Sequence, residues 1–278
     1  MSGKLYIVGT PIGNLGDISQ RALETLEGCD FIAAEDTRVT LKLLNHFEIK
    51  KPMISYFEHN RREKGEIIAE RILAGESCAL VTDAGMPAVS DPGEDLVALC
   101  HEKGIDVKAV PGPSAFVAAA ALSGLPVGRF TFEGFISVNK QSRREHLASV
   151  AHEKRTMIFY EAPHKLSATL RDLYETLGDR QMAIVREITK IHEEVIRTTL
   201  AAAVVRYAEE QLKGEIVLVI EGEKTETAVV TLEDAATLAG KYIAEGLSAS
   251  FAAKKAAKET GLRKGDIYDR IKSAAGEE

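Results

Sequence analysis

The sequence has no tryptophan and only three cysteines in 278 residues. Cys29, Cys78 and Cys100 are odd in number, far apart and set in apolar surroundings. That excludes a disulfide framework or zinc cluster and predicts buried free thiols in a reducing cytoplasm. No Cys/His grouping has metal-ligand spacing, so no metal is expected. No apolar stretch approaches the roughly 20 residues that span a bilayer, and the first strand pattern begins so early that no signal peptide is expected. Basic charge is not in excess either. Lysine and arginine number 35 against 42 acidic residues, a net charge of −7, which excludes a chain coated in positive charge and leaves only local basic patches as nucleic-acid surfaces. What is present is 45% apolar and 28% charged. That is the composition of a soluble globular protein, long enough for about two domains.

Over the first 115 residues, strand patterns alternate with helix patterns. Strands are expected at 5–8, 31–34, 53–56, 78–82 and 107–110, and helices include 60–74 and 93–103. This alternation predicts a parallel sheet with helices on both faces. Right-handed crossovers then bring the loops after the strands to one edge. Those loops hold the unusual residues. Gly9-Thr-Pro-Ile-Gly-Asn14 follows the first strand, Glu35-Asp-Thr-Arg38 the second and Phe57-Glu-His-Asn60 the third. Asp83-Ala-Gly-Met-Pro-Ala-Val-Ser-Asp-Pro-Gly93 follows the fourth, and Pro111-Gly-Pro-Ser-Ala115 the fifth. Glycine lets backbone approach a ligand closely. The first loop lacks the Lys-Ser/Thr ending of a Walker loop and does not spell G-x-G-x-x-G. Five loops with polar or Gly/Pro chemistry at one edge exceed what plain turns require.

From residue 116 the pattern changes. A small-residue helix over 116–122 leads to strands at 130–135, 156–160, 182–187, 193–198 and 215–221, with one helix, 165–177, between the second and third. Consecutive strands predict a mixed or antiparallel sheet in a second α+β domain, 116–223, after a first of 1–115. Residues 224–230 read as a linker. The remainder, 231–278, is helical: Thr231 and Asp234 suit a capping box, Ser248 caps a second helix ending at Gly261, and a third runs from Lys264 to Ser273. Ala257, Gly261 and Ile267 suit a helix-turn-helix. Residues 248–273 carry seven positive and three negative charges, which suits either a solvated appendage or a nucleic-acid surface.

With these residues in view, the chain resembles the tetrapyrrole methylase superfamily and, more closely, its ribosomal RNA small-subunit methyltransferase I family. The resemblance rests on Val8-Gly-Thr-Pro-Ile-Gly-Asn-Leu15, Ala34-Glu-Asp-Thr-Arg38, the run from Thr82 to Gly93, and Val110-Pro-Gly-Pro-Ser-Ala115. It extends to Phe159-Tyr-Glu-Ala-Pro-His-Lys165 and Arg186-Glu-Ile-Thr-Lys-Ile-His-Glu193, and covers 4–223. It implies a two-domain class III methyltransferase fold with a small C-terminal helical appendage, working as a cytoplasmic homodimer. It further implies S-adenosylmethionine bound in the interdomain cleft, and methyl transfer to the 2′-hydroxyl of a cytidine near the decoding centre of small-subunit ribosomal RNA. The family's cofactor contacts carry over to Asp83, Ala84, Gly85, Val89, Ser114 and Ala115, with Pro11 from the first loop and Tyr160 and Arg186 from the second domain. Met86 stands where the family leads one to expect threonine, which removes a side-chain hydrogen bond there.

Methyl transfer to a ribose hydroxyl needs oxygen, carbon and sulfur in line and a group to receive the proton. Glu35, Asp36, Arg38, His59, Asn60, Glu161, His164, Lys165, Arg186, Glu187 and Lys190 are placed to converge on the cleft. The carboxylate expected to handle the proton is Glu161 or Glu187, with Lys190, Lys165 or Arg38 as the cationic neighbour. The same residues would equally serve as an ion-pair network, and Glu187 and Lys190 meet only if their strand ends between them. RNA contact is expected at Lys140, Arg143 and Arg144, at Arg61 and Arg62, and at Lys254, Lys255 and Lys264, each cluster also readable as a solvated helix face. An RNA substrate in the assembled subunit is the leading reading. A methylase of a small tetrapyrrole and a non-catalytic, cofactor-sensing ribosome binder are the alternatives. Neither a DNA nor a membrane partner is expected.

Overall fold

The structure, a computed structural model, describes residues 3–224 and 231–275. The chain forms two compact units, Met1–Glu223 and Lys224–Glu278. Most of the expected linker, residues 225–230, lies outside the described residues.

The first unit begins with alternating strands and helices: β1 (Lys4–Val8), α1 (Gln20–Gly28), β2 (Phe31–Ala34), α2 (Thr37–His46), β3 (Met53–Ser55), α3 (Arg61–Leu73), β4 (Cys78–Val81), α4 (Glu94–Glu102) and β5 (Asp106–Val110). The five strands form one parallel sheet in the order β3-β2-β4-β1-β5. β2 and β4 are buried along their whole length. Their Phe-Ile-Ala-Ala and Cys-Ala-Leu-Val sequences are the continuous apolar runs of strands covered on both faces. The edge strand β5 is instead polar outside, and Asp106 pairs with Lys4 at 3.3 Å and Lys108 at 3.0 Å. Cys29, Cys78 and Cys100 are buried and free, as their apolar surroundings predict.

The strand order sets the position of the site. The chain runs outward from β1 to β2 and β3, returns to place β4 beside β1, then adds β5 on the other side of β1. Ligands of open α/β sheets bind beyond the carboxyl ends of the strands where the order reverses. The loops after β1, β4 and β5 meet at that point.

The rest of the first unit comprises α5 (Ala115–Ser123), β6 (Phe130–Phe135), α6 (Lys140–Val150), β7 (Thr156–Glu161), α7 (Leu166–Leu177), β8 (Gln181–Arg186), β9 (Glu194–Thr199), α8 (Leu200–Arg206) and β10 (Ile216–Ile220). The second sheet, in the order β6-β7-β10-β8-β9, is mixed as expected: β6 pairs parallel with β7, and the remaining pairs are antiparallel. The expected unbroken succession of late strands is corrected. α8 separates β9 from β10, with the Thr199 hydroxyl accepting from the Ala202 N–H as its cap. Its Leu-Ala-Ala-Ala-Val-Val sequence is too short and too uniformly apolar to show a helical period. α5 is apolar all round for a structural reason. Its Ala119 and Ala120 are buried with Ile158, Ala183, Val185 and Val217 of the second sheet. This helix starts in the loop that ends β5, so one short segment serves both sheets.

In the second unit, α9 (Leu232–Ala244), α10 (Ala249–Thr260) and α11 (Lys264–Ala275) pack through Ala235, Ala239, Ala252, Ala253, Ala256 and Ile267. Thr231 and Asp234 form the expected capping box. Ser248 occupies the N-cap of α10 without a side-chain capping bond, and Gly261 ends that helix at φ 74°.

Candidate functional site

Three loops are joined at the switch point by backbone. The Thr10 N–H donates to the Gly85 carbonyl at 2.9 Å and the Gly85 N–H to the Thr10 carbonyl at 3.1 Å, an isolated bridge between the loops after β1 and β4. The Thr10 hydroxyl donates to the Thr82 carbonyl at 3.2 Å. A Cβ on Gly9 would stand 2.7 Å from Gly112 and from the Met86 sulfur, so glycine is required for this approach of the β1 and β5 loops. The β4 loop is also strained: Ala88 and Ser90 have φ of 66° and 71°, a conformation unfavourable for residues with a Cβ.

Against these loops lies a cavity of about 340 Å³, within the size range of small-molecule sites. Ile12, Gly85, Met86 and Val89 wall it from the first sheet, Ala115 and Phe116 from the start of α5, and Tyr160, Ile188 and Val217 from the second sheet. Its ionisable lining residues are Asp91, Tyr160, Glu161 and Glu215; neither lysine nor arginine lines it among the described residues. Tyr160 is fixed in place by accepting from the Phe116 N–H at 3.3 Å. Its ring meets Phe132 edge-on at 5.0 Å, and Phe132 stacks on Phe116 at 4.4 Å. Burial raises the Tyr160 pKa.

A second cavity of about 550 Å³ adjoins the first. Glu35, Phe57, Glu58, His59 and Arg61 contribute to its wall, and Ser90 and Asp91 are common to both cavities. Burial, reinforced by Glu35 and Asp83 and only partly opposed by the Thr82 hydroxyl, pushes the Asp91 carboxyl up to about 6. Glu35 accepts from the Thr82 hydroxyl and from the Asp83 N–H at 3.4 Å.

The structure brings together Ala84, Gly85, Val89, Ser114, Ala115, Tyr160 and Glu161 of the residues expected at the site. It places others elsewhere. Pro11 does not line the cavity; its neighbour Ile12 does. Asp83 accepts from the Asp36 N–H at 3.2 Å, which turns its carboxylate toward the β2 loop. Burial, with Glu35 and Asp36, raises its pKa. Arg186 pairs with Glu194, its register partner on β9, at 2.7 Å and donates to the Lys213 carbonyl at 3.2 Å, away from the cavity. Arg38 is 87% exposed in its side chain and held by Asp36. Lys165, in the turn before α7, lines neither cavity.

Glu161 lines the first cavity and accepts from the Ala162 N–H at 2.7 Å and from the Thr169 hydroxyl, one bond to each oxygen. Glu187 and Lys190 do meet, because β8 ends at Arg186 and Glu187 turns at φ 52°. Lys190 pairs with Glu187 at 3.0 Å and with Glu215 at 3.1 Å. The Lys190 ammonium and the Glu215 N–H lower the Glu187 pKa; burial works against the Lys190 charge, but the two carboxylates outweigh it and raise that pKa. A Cβ on Gly13 would stand 2.7 Å from the Lys190 side chain. This is the ion-pair alternative, set against the first loop. Neither Glu187 nor Lys190 lines the cavity.

The basic clusters divide. Lys140, Arg144 and Arg62 are exposed. Arg143 is held by Asp172 at 2.5 Å and Thr169 at 3.0 Å, and Arg61 by Glu58 at 3.2 Å and Asp95 at 2.9 Å, so their charges are already paired. Lys254 is exposed, Lys255 lies 3.9 Å above the Tyr242 ring and Lys264 donates to Ser250 at 3.0 Å.

The sequence reading missed Ile12, Ser90, Asp91, Phe116, Phe135, Ile188 and the start of β10 as lining residues. Asp91 lay within the Thr82–Gly93 motif. The β10 residues gave no signal, being an ordinary apolar strand.

A switch-point cavity shared between a parallel sheet and a second mixed sheet is the architecture of a tetrapyrrole methylase. The family model for Tetrapyrrole (Corrin/Porphyrin) Methylases matches residues 4–204. Uroporphyrin-III-C-methyltransferase from Thermus thermophilus shares the fold at TM-score 0.56 and 18% identity, over 79% of this chain and 94% of its own; diphthine synthase does so at 0.57 and 16%, over 79% and 90%.

Within that class the relatives are more specific. The chain is 47% identical to the Synechocystis sp. protein "Ribosomal RNA small subunit methyltransferase I" over 96% of each chain, and 42% identical to the Bacillus subtilis protein of that name over 96% of this chain and 93% of its own. The Thermotoga maritima protein of that name is 47% identical and matched over 100% of its length by 80% of this chain. The chain belongs to the ribosomal RNA small subunit methyltransferase I family.

Proposed function

We propose that this protein transfers the methyl group of S-adenosylmethionine to the 2′-hydroxyl of a cytidine in small-subunit ribosomal RNA near the decoding centre. It acts in the cytoplasm as a homodimer on the assembled subunit. The observation that carries this reading is the acid-lined apolar cavity at the switch point, opening beside a larger polar cavity. The relatives' name supplies the substrate class, and a solved Thermus thermophilus uroporphyrin-III methyltransferase of this fold, 17% identical at TM-score 0.55, is described as complexed with S-adenosyl homocysteine.

The residues present suit the cofactor. An adenine ring needs apolar walls and little bulk, which Ile12, Ala115, Ile188 and Val217 supply. When bound, the sulfonium supplies an activated methyl and a positive charge. Asp91, Glu161 and Glu215 favour that charge, and no lining cation among the described residues opposes it. The strained β4 loop and the Tyr160–Phe116 bond hold the walls before binding, so little ordering is left to the reaction. The exposed Lys140, Arg144 and Arg62 are the phosphate contacts of this reading.

The test is transfer from methyl-labelled S-adenosylmethionine to small subunits lacking the modification, with naked RNA and uroporphyrinogen in parallel. One labelled ribose in the subunit, resistant to alkaline cleavage, is the expected result. Label on the tetrapyrrole overturns the reading.

A further inference from the structure

Resting on the placement of S-adenosylmethionine in the first cavity, the site needs a carboxylate held ready for the sulfonium. Among the described residues, three carboxylates line that cavity: Asp91, Glu161 and Glu215. The Glu215 side chain is 75% exposed and pairs with Lys190 at 3.1 Å, so an ammonium already matches its charge. Asp91 stands near Glu35 and Asp83, and burial together with those charges disfavours its ionised form. Glu161 ends β7 and is 5% exposed. Each of its oxygens accepts one bond, from the Ala162 N–H and from the Thr169 hydroxyl. A carboxylate can accept about four, so it keeps capacity toward the cavity.

The Thr169 hydroxyl is the centre of a chain of polar groups. It donates to Glu161 and accepts from the Arg143 guanidinium at 3.0 Å, and the same guanidinium donates to Asp172 at 2.5 Å. Thr169 and Asp172 are three residues apart on one face of α7, and Arg143 reaches them from α6. A hydroxyl accepts and donates at once, which no apolar side chain can do. Packing alone does not call for it. The other buried residues of α7 are Leu166, Leu170, Leu173 and Leu177, and Thr169 is 1% exposed among them. A valine would fill nearly the same space with no polar group to satisfy. Arg143 thereby differs from its exposed neighbours Lys140 and Arg144, because its guanidinium is bonded inward to the group that holds Glu161.

We propose that Glu161 is the carboxylate set against the sulfonium of the cofactor and that Arg143 is a positioning residue, acting on it through Thr169. Arg143 fixes the hydroxyl, and the hydroxyl fixes the carboxylate, so little reorganisation is left to binding. Recognition of a sulfonium is recognition of charge. The arrangement therefore favours S-adenosylmethionine over S-adenosylhomocysteine, which lacks the methyl group and that charge.

The experiment measures the affinity of the intact protein for each of these two ligands by calorimetry, with Tm recorded for every variant. Glu161→Gln is expected to weaken S-adenosylmethionine by about tenfold or more and S-adenosylhomocysteine by less than about threefold. Thr169→Val leaves both charges in place. It is expected to weaken S-adenosylmethionine about fivefold with the same selectivity, and Thr169→Ser to restore it to within about twofold. Arg143→Lys keeps the charge and loses the two-pronged geometry. It is expected to fall between wild type and Thr169→Val, and to add nothing to Thr169→Val in the double variant. Equal losses for the two ligands in Glu161→Gln or Thr169→Val would make the chain of bonds structural support only and overturn the assignment. So would failure of Thr169→Ser to rescue, or full additivity of Arg143→Lys with Thr169→Val. If Thr169→Val fails to fold, Glu161→Gln and Arg143→Lys decide by the same ratio of affinities. Unchanged affinity for both ligands in Ala115→Leu would instead take the cofactor out of the first cavity, which overturns the underlying reading itself.

Discussion

The two adjoining cavities are built by different means. The first is walled by apolar residues from both sheets and is held by backbone pairing and by the aromatic stack through Phe116. The second is walled by charged and aromatic side chains from loops of the first sheet. A rigid apolar site suits one small molecule bound the same way each time. A loop-built polar site suits a segment of a larger molecule. The two meet at Ser90 and Asp91, on the strained loop after β4.

Substitutions that separate the cavities test this division. The largest effect is expected from Ala115→Leu, which puts a branched side chain into the first cavity. Cofactor affinity should fall by about 30-fold, equivalent to about 2 kcal/mol of overpacking, while affinity for the subunit stays near wild type in filter binding. Phe57→Ala should do the reverse. It should raise KM for the subunit by about fivefold or more, as the loss of a stacked base would, with cofactor affinity unchanged by calorimetry. Equal effects on both ligands in either variant would merge the two cavities into one functional site.

The second unit provides a smaller contrast. Removal of residues 231–278 should weaken RNA binding several-fold and leave cofactor affinity unchanged, because among the described residues the first cavity is lined by the first unit. Parallel loss of both affinities with intact folding would give those helices a structural role.

The smallest effect is on stability. The Asp91 carboxyl has its pKa raised from 3.8 to about 6. Below pH 3.8 it is protonated in both folded and unfolded chains and costs nothing. Between these values its ionisation increasingly favours the unfolded chain, and above about 6 the penalty is complete. Asp91→Asn should therefore raise Tm at pH 7.5 and leave it unchanged near pH 4. Discounted for solvent access, the gain is about 1 kcal/mol, or about 2–4 °C. A Tm gain of the same size at both pH values would show that burial is not penalising the ionised form.

Much of the first cavity was legible in advance because its residues lie in loops with uncommon chemistry. Gly85, Val89, Ser114 and Ala115 were reached through the family resemblance, whose cofactor contacts carry over to the motifs in those loops. The second sheet's contribution was less visible. Ile216 and Val217 line the cavity from an apolar strand indistinguishable in sequence from a core strand. Arg186 was expected at the cofactor and Arg143 at RNA; register with Glu194 and contact with Asp172 instead give each guanidinium a partner within the protein.

Sequence by itself determined the parallel sheet, the loops at its carboxyl edge, the three C-terminal helices and the family, because local periodicity and ordered motifs are carried by neighbouring residues. Only the tertiary structure decided which carboxylate stands between the two cavities. Asp91, Glu161 and Glu187 are alike as residue types. Their difference comes from hydrogen-bond partners and burial supplied by distant segments: Thr169 beside Glu161, Lys190 and Glu215 around Glu187, and Glu35 near Asp91.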